Sequence, residues 1–152
     1  MGVGTSNRSR LNALLEQDVQ SEVLLVYDKE CPFCDFYCRL VRIESSLGRI
    51  KIVDARKGSE VMQRITATGL DIDQGMVVQV GDQLFYGADA IHLLALMSSR
   101  SGIFNRINYW IFKSVLLSRL IYPVLRFFRN FALKLMRKTR IDNLGKPDNE
   151  LF

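Results

Sequence analysis

The chain is 152 residues long, 48% apolar and 24% charged, which suits one domain with a real core and excludes wholesale disorder. Its three cysteines are too few, and odd in number, for a secreted domain scaffolded by disulfides. The net charge of +5 is unevenly spread, with 11 bases and 13 acids in residues 1–100, nine bases and no acid in 101–140, and one base and three acids in 141–152, so conclusions from basicity belong to 101–140 alone.

Residues 1–21 are polar apart from a short amphipathic stretch at Leu11, Leu14 and Leu15, and they read as a flexible lead-in with room for one helix. No continuous apolar run of the secretory kind occurs between Met1 and Glu22, so a cytoplasmic protein with its thiols reduced at rest is expected. Glu22 to Tyr27, aliphatic and short, is a strand. From Pro32 the period changes. Phe33, Phe36, Tyr37, Leu40, Ile43 and Leu47 recur at three- and four-residue steps, predicting a helix with one buried face that Gly48 ends. Pro32 suits the first turn, which needs no N–H from it. Arg49 to Asp54 is a second strand, and Ser59 caps a short helix to Thr68 that stops at Gly69. Met76 to Val80 and Gln83 to Tyr86 flank Gly81-Asp82, a link suited to a tight hairpin. Ala88 to Met97 is apolar enough to pack on a sheet. The order β-α-β-α-β-β-α over residues 22–100 predicts an α/β core: a four-stranded mixed sheet with a parallel first pair, an antiparallel hairpin and helices on both faces.

Residues 101–138 predict two further helices, Ile103 to Leu117 and from Ser118 or Tyr122 to Lys138, with Pro123 fitting a helix start better than an interior. The extension 101–140 is thus basic, amphipathic and helical. Its longest uncharged stretch between bases is six residues, whereas a spanning helix needs roughly 20 apolar residues in succession. Residues 141–152 read as a polar, frayed tail.

The chemistry concentrates in Asp28-Lys29-Glu30-Cys31-Pro32-Phe33-Cys34. Two cysteines three positions apart, opening a helix after an apolar strand, put Cys31 where unpaired N–H groups and the helix dipole favour a thiolate. The thiolate is the form that attacks disulfides. A redox dithiol is the leading expectation, with Cys31 the exposed nucleophile and Cys34 the resolving thiol. The competing reading is a pair of small buried hydrophobes without chemistry. Asp28 has two compatible roles: accepting the Cys34 proton during resolution, or capping the turn after the strand. Pro32 and Phe33 set the helix start and the reduction potential, and Lys29 places a cation within reach of the thiols. No cofactor and no metal are expected at this site.

Tyr27-Asp28-x-x-Cys31-Pro32-Phe33-Cys34, followed by a basic amphipathic helix, resembles the DCC family of thiol-disulfide oxidoreductases, named for an Asp-Cys-Cys signature after the first strand. Val77-Val78, the run Phe85-Tyr86-Gly87-Ala88-Asp89-Ala90 and the Arg- and aromatic-rich helices near the end look like the family's later segments, so the resemblance covers residues 23–138. It implies a thioredoxin-like fold, which the element order also fits, and dithiol–disulfide exchange with protein or small-molecule thiols and disulfides as partners. The family commonly has Gly where Lys29 stands. True thioredoxins set a cis-proline beside the cysteine pair, where this chain has Gly75-Met76.

Rival functions use other residues. Cys38, four positions after Cys34 and on the same side of the helix, reads as buried packing, with a regulatory disulfide or a third metal ligand as alternatives. Cys31, Cys34, Cys38 and His92 would compose a Cys₃His zinc set, yet a histidine in the Ala88–Met97 segment is hard to bring to the start of the dithiol helix. Trp110-Ile111-Phe112-Lys113 and Tyr122 to Arg129 mix aromatics with spaced bases, the pattern of a helix making peripheral contact with an anionic membrane. The competing reading packs the apolar side of 101–140 on the sheet and leaves the bases solvated. Nucleic acid is not an expected partner, because the bases are interleaved with large aliphatics and no recognised motif is present.

Overall fold

In a computed structural model, which describes residues 22–41, 43, 49–99 and 101–145, the chain runs β1 (Glu22–Tyr27), α1 (Pro32–Leu40), β2 (Arg49–Asp54), α2 (Glu60–Ala67), β3 (Val77–Val80), β4 (Gln83–Tyr86), α3 (Ala88–Met97), α4 (Ile103–Phe112) and α5 (Val115–Leu135). The strands form one sheet in the order β2-β1-β3-β4. β1 is parallel to β2 and antiparallel to β3, and β3 pairs antiparallel with β4 across a turn in which Gly81 takes a φ of +56°. This is the expected mixed sheet, an α/β arrangement of thioredoxin-like form.

Alternation along β1 feeds two cores. Val23, Leu25 and Tyr27 meet Val78 and Val80 beneath α1 and α3, where Cys38, Leu93, Leu94 and Met97 close that face. Val26 and Val77 point the other way, onto Met62 and Ile65 of α2. Burial of each such side chain is worth about 1.5–3 kcal/mol, so a one-residue slip of β1 would exchange both faces at once and is strongly disfavoured. The Ser59 hydroxyl accepts the Met62 N–H at 3.2 Å and fixes the start of α2, as its sequence predicts.

Several boundaries differ from expectation. α1 ends at Leu40, because Val41 is extended and buried and Ile43 forms an antiparallel bridge with Ser98 after α3. The helical spacing that reaches Ile43 therefore runs on into a strand-like segment. The buried side of α1 is Cys34, Tyr37 and Cys38, while Phe33 and Phe36 are exposed. Leu47 and Gly48, the lead-in 1–21 and residues 146–152 lie outside the described residues. α4 stops at Phe112, and Ser114 caps a new helix that continues through Pro123 to Leu135. An interior proline costs about 3 kcal/mol in an ordinary helix by removing a hydrogen bond and crowding the preceding turn. Here tertiary anchors on both sides hold α5 continuous, Tyr122 before the proline and Arg129 and Leu133 after it.

The first residues after Arg140 are pinned to the core and not frayed. The buried Asp73 carboxylate accepts the N–H groups of Ile141 at 2.9 Å and Asp142 at 2.6 Å. Asn143 accepts the Ile72 N–H at 3.1 Å and donates to the Leu70 carbonyl at 2.8 Å. Among the described residues no helix is long and apolar enough to cross a membrane.

Candidate active site

The site grows from the end of β1. Asp28 accepts the Glu30 N–H on Oδ1 at 2.9 Å, and its backbone carbonyl accepts the Cys31 N–H at 3.0 Å, so it caps the turn that leads into α1. Cys31 is the N-cap of α1, and its Sγ accepts the Cys34 N–H at 3.3 Å. Pro32 occupies the first turn as anticipated. Positive φ at non-glycine residues is confined, among those described, to Arg137 and Asp142. The turn therefore needs no glycine where Lys29 stands.

The sulfurs of Cys31 and Cys34 are 2.7 Å apart, and both are free thiols. Their ionisation is strongly asymmetric. The hydrogen bond with Cys34 lowers Cys31 most; burial opposes it, and the Cys34 N–H and Arg129 add to the lowering, bringing Cys31 from an ordinary 9.0 to about 7. Cys34 is pushed far up by the same hydrogen bond, then by burial and by the Cys31 charge. Of the two sulfurs, Cys31 is therefore the one that ionises first, while Cys34 keeps its proton. Exposure runs the other way, and it corrects the expectation of an exposed nucleophile: Cys31 is 0% exposed, whereas Cys34 is half-buried and its neighbours Pro32 and Phe33 are exposed. Helix geometry explains this, since an N-cap side chain folds back over the first turn to meet its N–H groups.

Asp28 is fully buried against Arg56. The guanidinium donates from Nε to Oδ1 at 2.8 Å and from Nη2 to Oδ2 at 2.9 Å, a two-pronged pair of the kind that compensates burial of both charges. Arg56 Nη2 also donates to the Thr139 carbonyl at 2.7 Å, tying the chain beyond α5 to the site. Arg56 is absent from the sequence-based reading, yet the signal was present. Parallel pairing sets Tyr27 opposite Asp54, which brings the residues just beyond each strand together.

The second cation is Arg129 of α5, only 7% exposed, whose Nη1 donates to the Asp73 carbonyl. Its charge favours thiolate at both Cys31 and Cys34. Burial weighs against the Arg129 charge, but Cys34, Cys31 and Asp28 outweigh that cost and raise it. Arg129 therefore supplies the positive field expected of Lys29, which is exposed and does not figure in the ionisation of either sulfur.

Tyr122 of α5 packs against Gly75, one of the two residues that stand where a thioredoxin is expected to set its cis-proline. Its hydroxyl donates to the Gln74 carbonyl at 3.0 Å and presses against Gly75, where an added Cβ would collide with it. No cis peptide bond occurs among the described residues. Cys38 lies buried in the core beneath α1, with burial pushing its thiol up. His92 Nδ1 sits 2.7 Å from the Phe112 carbonyl oxygen at the end of α4. Among the described residues no three His, Cys, Asp or Glu side chains gather to hold a metal ion, so His92 and the cysteines do not form the zinc set considered from the sequence.

A family model described as DCC1-like thiol-disulfide oxidoreductase matches residues 25–142, and the chain belongs to that family. No curated protein and no solved structure matches it.

Proposed function

We propose that this member of the DCC1-like family exchanges dithiol for disulfide through Cys31 and Cys34, on a core of residues 22–100 completed by the helical extension 101–140. The observation that carries the reading is the pair of sulfurs 2.7 Å apart at a helix N-terminus, with Cys31 the one pushed toward the thiolate. Exposure favours Cys34 and ionisation favours Cys31. Ionisation decides, because a thiol is a far poorer nucleophile than its thiolate.

In the reducing direction, the Cys31 thiolate attacks one sulfur of a substrate disulfide. A mixed disulfide forms and the other substrate sulfur leaves as thiolate. Cys31 is then neutral, so the hydrogen bond and the charge that hold the Cys34 proton are gone, leaving burial as the chief opposing cause. Cys34 loses its proton to the departing thiolate or to water and attacks the Cys31 sulfur. The internal disulfide closes, the second substrate thiolate leaves, and two electrons have passed from protein to substrate. The opposite direction retraces these steps.

Asp28 and Arg56 hold the turn that presents Cys31, and Arg129 biases both sulfurs toward the anion. Pro32 and Phe33 form the exposed rim at which a substrate meets the pair. Protein or small-molecule thiols and disulfides are the partners, and a cytoplasmic setting keeps the resting pair reduced. The test is exchange with a disulfide substrate, followed by mass spectrometry. Cys31→Ser abolishes turnover and Cys34→Ser accumulates a mixed disulfide at Cys31. Full activity in Cys31→Ser would refute the assignment.

A further inference from the structure

The two C-terminal helices bury polar residues among their apolar ones and leave a long apolar stripe facing outward. On α4 the buried positions include Asn105 and Asn108, and on α5 they include Ser118 and Arg129. Their partners are internal: Asn108 accepts the Tyr37 hydroxyl at 3.1 Å, Ser118 donates to the Phe112 carbonyl at 3.1 Å, and Arg129 donates to the Asp73 carbonyl. The outward face of α5 is a stripe at helical spacing, Leu116, Leu120, Val124, Phe127, Phe131 and Leu135, every residue of it exposed and Leu116 81% so. On α4 the outward residues include Trp110, 72% exposed, with the Lys113 ammonium 4.4 Å from its ring centre. An apolar stripe along a helix of 21 residues, about 31 Å long, is far more than scattered surface hydrophobes and marks a docking face.

We infer that the outward face of α4 and α5 docks onto an anionic lipid surface, lying in its plane without crossing it. Charge selects this occupant. Residues 101–140 contain nine bases and no acid, and Arg126 and Lys134 are exposed beside the apolar stripe, as is Arg119, which also pairs with Asp89 at 3.4 Å. A second copy of the chain, joined face to face, would set these bases against their own equivalents. Anionic headgroups complement them, and a tryptophan with a neighbouring lysine suits the headgroup level. The inward face of α5 carries Arg129, whose charge acts on both sulfurs, so docking sets the dithiol on the far side of α5 from the lipid. The docking itself does not rest on the redox reading, and the two fail separately.

The experiment is co-sedimentation of the full chain with phosphatidylglycerol-containing vesicles and with pure phosphatidylcholine vesicles, using Leu120→Glu/Phe127→Glu and Arg126→Glu/Lys134→Glu as variants. All four positions are exposed, and unchanged circular dichroism and an unchanged thermal midpoint establish that each variant is folded. Binding to anionic vesicles is expected at about 0.1 M salt, where the screening length is ~10 Å, with at least tenfold weaker binding to phosphatidylcholine. Each double variant should lose at least tenfold in affinity for the anionic vesicles. No binding to anionic vesicles would overturn the inference, as would full binding by Leu120→Glu/Phe127→Glu. A dimer in sedimentation equilibrium that the same variant abolishes would also overturn it, by assigning the face to self-association.

Discussion

The division of charge between the sulfurs predicts a measurable titration. With Cys31 lowered from 9.0 to about 7, about half of it is thiolate at pH 7, against about 1% for an unperturbed thiol, a gain of roughly 50-fold in the reactive form. Nucleophilicity falls with basicity, with a Brønsted slope near 0.4–0.5, which returns roughly eightfold and leaves a net advantage of about sixfold. Ultraviolet thiolate absorbance of the reduced protein reads ionisation without requiring a reagent to reach the buried Cys31. A step with a midpoint near pH 7 is expected, and it should be absent from Cys31→Ser. Cys34→Ala removes the largest cause of the lowering while burial continues to oppose the anion, so the midpoint should climb to about 9 or beyond. Arg129→Met should move it in the same direction by less, because its influence ranks below those of the Cys34 thiol and N–H. The reasoning is refuted by a wild-type step no lower than that of a free thiol, or by a midpoint indifferent to Cys34→Ala.

Asp28→Asn should cost about 2 kcal/mol in urea unfolding, by unpairing the Arg56 guanidinium from a fully buried partner. It should also lower the Cys31 midpoint slightly, because the Asp28 charge raises it, whereas a proton-accepting role for Asp28 would instead slow release of the mixed disulfide. Gly75→Ala sets a Cβ against the Tyr122 hydroxyl and 3.2 Å from the Gly87 Cα, for which about 1–3 kcal/mol of destabilisation is expected. Tyr122→Phe in the same chain should recover part of it; no recovery would place the strain elsewhere. Reduced protein should gain stability as pH rises from 7 to 9, by at most about 2.7 kcal/mol, because a depressed folded pKa contributes fully above the unfolded value of 9.0 and is lost as pH falls through about 7. Above pH 9 the raised thiols Cys34 and Cys38 reverse the trend, and denaturant midpoints across that range would show a maximum.

Most of the fold was legible because the strands are short apolar runs between clear punctuation. Ser59, Gly69 and Gly81 mark the ends of elements in the sequence and do so in the structure. One of the errors comes from assuming that an apolar stripe faces inward. Phe33 and Phe36 set the apparent face of α1, yet Cys34, Tyr37 and Cys38 are what it buries. Spacing establishes that a helix has two faces and says nothing about which neighbour each will meet. The site was half legible for a related reason. Asp28, Cys31 and Cys34 are local in sequence, so a strand, a turn and a cap suffice to bring them together. Arg129 is remote, and breaking α5 at Pro123 conceals it. Read as one helix, Ser118, Tyr122, Arg129 and Leu133 fall at steps of four, seven and four on a single face, and that face is the one turned inward, toward the dithiol and the core.

In the mechanism we propose, covering Cys31 follows from the same electrostatics that lower it. A guanidinium 7% exposed acts through a medium of low polarity, where an opposite charge stabilises an anion far more than it does across water. Opening the site around Cys31 would weaken the Arg129 field and let water compete for the Cys34 hydrogen bond, and the thiolate would lose the causes that lower it. The structure instead leaves the opening at Cys34 and the exposed Pro32-Phe33 rim. A substrate arriving there meets the neutral sulfur first and must reach past it to the anion. Extended or small disulfides satisfy that geometry more readily than bulky folded ones, because the attacking sulfur must align with both atoms of the bond it breaks. The Tyr122 side chain sharpens the restriction, since it fills the space at Gln74 and Gly75 within electrostatic reach of Cys34. Replacing Tyr122 with alanine should therefore broaden the range of disulfides accepted more than it alters the Cys31 midpoint, and an unchanged substrate range would refute this account of selectivity.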